Sequence, residues 1–132
     1  MKPGIHCVFA FVVFCHGLIY VGIGSLLPGP IPAWKGTSWL LGGALTGEPL
    51  RLLVVALHVT AGVAILAAAA AMMLGASLAG WWRPFAMGGA LVGLAAFAVF
   101  WDGQVTLLIE EGAIGALVSL TVFAVAVVFP LT

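Results

Sequence analysis

Charge is nearly absent from this chain. Asp, Glu, Lys and Arg make up 6% of its 132 residues, against about 25% in a soluble domain. Hydrophobic residues make up 64%, more apolar surface than a soluble fold of this size can hide. The chain is therefore read as an integral membrane protein. Formal net charge is zero and no basic run occurs, which excludes nucleic acid as a partner. Cysteine is scarce too: Cys7 and Cys15 both lie in the first apolar run. On one helix they stand about 12 Å apart, too far to bridge each other. No Cys-x-x-Cys motif occurs, which argues against a thiol-oxidising membrane enzyme. G-x-S-x-G, H-E-x-x-H and phosphate-loop motifs are missing as well. The chain is thus expected to be non-catalytic, and the sequence names no cofactor. The alternating segments of a membrane β-barrel are also missing.

What the chain does have is long apolar runs. The first, Ile5 to Leu27, would rise roughly 34 Å as a helix, enough to cross a hydrocarbon core of about 30 Å. It is too long for the apolar core of a secretory signal, and no A-x-A cleavage site follows it. Further runs predict an all-α, polytopic membrane protein: one domain, 1–132, folded as a four-helix transmembrane bundle. The expected spans are about 5–27, 49–74, 84–101 and 105–129, with a capping loop at 28–48.

Pro28, Pro30 and Pro32 end the first helix, and Pro49 suits the first turn of the second. Within the long loop, Trp34 and Trp39 suit a membrane interface. Trp39-Leu40-Leu41 is too apolar for a solvated loop and is expected to lie across the bundle mouth. Trp81-Trp82-Arg83-Pro84 opens helix three at an interface, and Gly89-x-x-x-Gly93 offers a packing face. Trp101-Asp102-Gly103-Gln104 reads as a tight reversal. Helix four would then begin near Val105, which places Glu110 and Glu111 in its first turns. Gly112, Gly115 and Ser119 form a small stripe for packing on it.

The polar residues are unevenly placed. His16 lies near the middle of the first run, and Tyr20 follows one turn later on the same face. His58 lies at a similar depth on helix two, with Arg51 two turns away near the rim. Lys35, Asp102, Gln104, Glu110 and Glu111 belong to the same, long-loop half of the bundle. The other half carries Lys2, His6 and Arg83 and no acid. An ionisable group inside a membrane is costly, faces inward and tends to be functional. The expected ligand-binding set is therefore His16, Tyr20, Trp39, Arg51, His58, Asp102, Glu110 and Glu111, with Arg51 paired to Glu110. The pocket would take a hydrophobic small molecule or a quinone. Other readings stay open. The polar groups can serve only as glue between helices. The chain can be a small oligomeric transporter or channel. His16 and His58 can also hold a haem or another metal, with Arg51 meeting a propionate.

At His16-Gly17-Leu18-Ile19-Tyr20, Trp81-Trp82-Arg83-Pro84 and Phe100-Trp101-Asp102-Gly103, the chain resembles the small bacterial four-helix membrane proteins of the DoxX-like kind. The likeness covers most of the chain in length and span layout. It implies a bacterial inner-membrane protein that serves as a subunit accessory to a quinone-linked oxidoreductase. Partners would be the lipid bilayer and either a membrane protein complex or further copies of the chain. The Pro-rich exit from helix one departs from that family's usual Gly/Lys-rich one. Lys and Arg divide evenly between the two membrane sides, so positive-inside counting does not orient the chain. Both termini are expected in the cytoplasm.

Overall fold

The computed structural model describes residues 3–26, 36–74, 78, 80–107 and 112–129. Among them the regular elements are all helical: α1 (Pro3–Leu26), α2 (Gly47–Leu74), α3 (Trp82–Phe100) and α4 (Ala113–Val128), with a short 3-10 turn at Val105–Leu107. Three segments, Gly4–Gly24, Gly47–Leu74 and Trp82–Phe100, are long and apolar enough to cross a membrane. Large apolar side chains such as Phe11, Leu52, Leu91 and Leu117 also cover the outer faces of the helices. A helix that is apolar all round is covered either by protein or by lipid. These features suggest a membrane-embedded protein.

The helices pack in chain order, α1 on α2, α2 on α3 and α3 on α4, while α1 and α4 barely touch. The centre of the arrangement is α2. Its buried positions, Leu50, Val54, His58, Ala61, Ile65, Ala68 and Met72, recur every three or four residues, which is the spacing of one helical face. Gly62 allows the closest approach to α1: a Cβ there would stand 2.8 Å from the Val21 backbone nitrogen. The Ala67–Ala71 run, which marks no face in the sequence, buries Ala68, Ala69 and Ala71.

Two apolar clusters result. The larger joins all four helices through Val13, Ile65, Trp82, Ala90 and Val122. The smaller, Leu50, Val54, Val99 and Phe100, lies where α2 begins and α3 ends, with Leu41 and Leu45 packed against it. Trp82, expected at an interface, packs inside the bundle. It is buried edge-on to Phe9, while Trp81 stays exposed. Arg83 reaches across to α4, where Nε donates to Ala126 O at 2.8 Å and Nη2 to Val127 O at 3.1 Å. These carbonyls lie in the last turn of α4, where no intrahelical donor remains for them.

The fourth helix differs from its expected span. It begins at Ala113 rather than near Val105, and 16 residues rise only about 24 Å. Gly112 precedes it with φ of 102°, a left-handed conformation that suits glycine and interrupts a continuous helix. In the sequence the apolar run from Val105 is interrupted at Glu110-Glu111-Gly112, just before the observed start of α4.

Candidate functional site

Four polar side chains meet inside the bundle. Ser119 on α4 is fully buried, and its Oγ lies 2.9 Å from His16 Nε2 and 3.0 Å from Tyr20 Oη. His16 and Tyr20 share one face of α1, and their rings meet edge-on with centroids 4.9 Å apart. Tyr20 also contacts the His58 ring at 5.6 Å. His58 Nδ1 donates to Val54 O, one turn back on α2, at 2.8 Å. Phe100 also meets the His58 ring edge-on, with centroids 5.8 Å apart. The set lies between the two apolar clusters: Tyr20 belongs to the larger, and Phe100 to the smaller.

Room for this set comes from Gly93 on α3. A Cβ at that position would stand 2.6 Å from Tyr20 Oη and 3.0 Å from Ser119 Oγ. The Gly89-x-x-x-Gly93 motif thus has two uses, because Gly89 lies equally close to Ile65 on α2.

Beside the polar set lies a cavity of about 300 Å³, at the lower end of the range for small-molecule sites. His16, Tyr20 and His58 line it with Ile19 and Ile23 of α1, Phe97 of α3, and Ile114, Gly115 and Val118 of α4. It follows the loose α1/α4 seam. Ile19 and Ile114 are 57% and 61% exposed, so the apolar wall continues onto the outer surface. The small stripe of α4 has a different role from the expected one. Gly112 and Gly115 line the cavity, and a Cβ on Gly115 would meet nothing within 4 Å.

The expected eight-residue set divides. His16, Tyr20 and His58 come together. Trp39 and Asp102 lie at the bundle mouth and are not among the lining residues. There, Trp39 N donates to Trp101 O at 3.0 Å and the two rings meet at 5.4 Å. Asp102 accepts from Gln104 N at 2.9 Å and Gln104 Nε2 at 2.6 Å. Arg51 lies about 10 Å of helix rise from His58 and does not line the cavity either. It pairs with Glu48 on its own helix at 3.4 Å. Glu110, Glu111 and Lys35 lie outside the described residues, so the expected Arg51–Glu110 pair does too. The capping segment turns Ser38 and Leu41 inward and leaves Trp39 and Leu40 half exposed.

In the sequence Ser119 reads as a small packing residue. A serine or threonine in an apolar helix can satisfy itself on the carbonyl four residues back, and Thr121 does so with Leu117 O. Ser119 instead bonds across helices. The sequence signal that separates the two hydroxyls is the small stripe Gly112, Gly115 and Ser119, which puts Ser119 on a packing face and leaves Thr121 off it. Among the described residues, no three His, Cys, Asp or Glu side chains group closely enough to hold a metal.

Comparison of the chain with protein-family models, with curated proteins and with solved structures finds no match.

Proposed function

We propose that this chain is a small, non-catalytic integral membrane protein whose α1/α4 cleft binds a lipid-soluble molecule with a polar head, quinone-like in build. The observation that carries this reading is the cavity itself. Its floor holds His16, Tyr20 and His58, and its apolar wall runs out along Ile19 and Ile114. Polar groups that serve only as glue would be packed to native density. These border an open space of ligand size. A molecule arriving from the bilayer would place its tail along the seam and its head on the polar floor.

In this reading all four helices cross the membrane, with α4 as the fourth span. The membrane is a bacterial inner membrane, both termini are cytoplasmic, and the protein serves as a subunit beside a quinone-linked oxidoreductase. The DoxX-like resemblance supports that last assignment. The test is binding of a short-chain quinone couple, in both redox states, to the purified protein in nanodiscs. Wild type should bind at least one member of the couple. Gly115→Leu should abolish binding while preserving the fold, since its side chain would enter open space. Binding unchanged in Gly115→Leu, or absent from wild type, would reject the cleft as the site.

A further inference from the structure

The geometry points to a hydroxyl-headed ligand: the cleft selects a lipid-soluble phenol or alcohol over the corresponding ketone, ether or ester. This inference rests on the cleft being a ligand site. It adds which chemical group the floor recognises.

A backbone carbonyl only accepts, so the 2.8 Å contact with Val54 O places the proton of His58 on Nδ1. In the neutral ring, Nε2 then carries a bare lone pair. Nε2 lies across the ring from the bonded nitrogen, at the far tip of a side chain that lines the cavity. No partner for it occurs among the described residues. Rotating the ring would turn a C–H toward Val54 O and lose that bond. Tyr20 and Phe100 both pack against the ring, at 5.6 and 5.8 Å. His16, Ser119 and Tyr20, by contrast, share three hydrogens over two contacts, so that chain keeps one donor whose position is not fixed.

The fixed, unpaired function offered to a ligand is therefore an acceptor. A carbonyl or ether oxygen brought to His58 Nε2 would set lone pair against lone pair. A hydroxyl donates to Nε2 and keeps its own lone pairs for any proton the Ser119 chain has to spare. For a quinone couple, the bound form is the reduced, hydroxylated one.

A matched pair tests this without any mutation: para-nonylphenol and its methyl ether. Both keep the ring, the tail and an acceptor oxygen, and only the phenol donates. Binding to the protein in nanodiscs is measured against partition into empty nanodiscs. The phenol should bind roughly tenfold tighter, the worth of one buried hydrogen bond and its stranded partner. His58→Phe keeps an aromatic ring against Tyr20 and Phe100, and should bring the two affinities together. Equal affinities in wild type, or tighter binding of the ether, overturn the hydroxyl preference and leave the cleft as a ligand site. A gap that persists in His58→Phe overturns the role of His58. Binding of neither compound overturns the preference. If the quinone couple also fails to bind, the ligand reading falls with it. Should His58→Phe fail to fold, the wild-type pair still decides.

Discussion

Gly93 of α3 stands so close to Tyr20 of α1 that one added carbon would lie 2.6 Å from the tyrosine hydroxyl. That same carbon would reach within 3.0 Å of Ser119 Oγ. Gly93→Ala should therefore open the Tyr20–Ser119 contact and cost about 1–3 kcal/mol, the usual range for overpacking a core. Tyr20→Phe removes the nearest atom but leaves the ring carbon at 2.9 Å. The double variant should recover part of the loss, so the two changes should be less than additive. Thermal unfolding in mild detergent measures this. Strict additivity would show that residue 93 does not press on Tyr20.

Ser119→Ala removes the atom shared by His16 and Tyr20. Two buried polar tips would then lose a partner at once, a loss of about 1–3 kcal/mol. Hydrogen bonds between membrane helices couple more weakly, by roughly 0.6 kcal/mol on average and up to about 1.7. Tyr20→Phe should accordingly cost less in the Ser119→Ala background than in wild type, by an amount in that range. A denaturant or thermal double-mutant cycle reads the difference, and zero coupling would remove Ser119 as the centre of the set.

Arg83 is the external donor to the end of α4. Arg83→Gln should leave Ala126 O and Val127 O short of donors and fray that end. Hydrogen exchange followed by mass spectrometry should show faster exchange across Val125–Phe129, with little change at the Gly112 end. Arg83→Lys should rescue only partly, because an ammonium lacks the planar fork that here spans two carbonyls. Unchanged exchange in Arg83→Gln would show that the carbonyls find other donors.

Orientation is open to direct labelling. The Trp39 N–H to Trp101 O bond puts the 36–46 segment and the 101–104 turn at one end of the bundle. With both termini cytoplasmic, Thr37→Cys should react with an impermeant thiol reagent from outside the inner membrane, in a background lacking Cys7 and Cys15. Reaction only from the cytoplasmic face would invert the proposed topology.

The sequence by itself determined the setting. So few charges and such long apolar runs leave a membrane as the environment. Helix ends follow from local chemistry: Pro49 suits the first turn of α2, and α3 ends where Trp101-Asp102-Gly103 reverses the chain. His16 and Tyr20 were legible as an inward-facing pair, because their spacing puts them on one face and lipid satisfies neither. His58 followed from its similar depth on the next helix. Tertiary structure alone decided which partners those groups took. Ser119 and Thr121 carry hydroxyls on the same apolar helix. Only the proximity of α1 to Ser119 makes one a cross-helix partner, while the other turns back to its own carbonyl. Arg51 and His58 share a stripe, and residue spacing already puts one at the rim and one at the floor; the structure adds that Arg51 pairs with Glu48 on its own helix. The cavity was illegible. Glycine stripes permit close packing, and at Gly62 and Gly93 neighbours come close. At Gly115 no neighbour does. A small residue gives room for contact, and the packing of the other helices decides whether that room is filled.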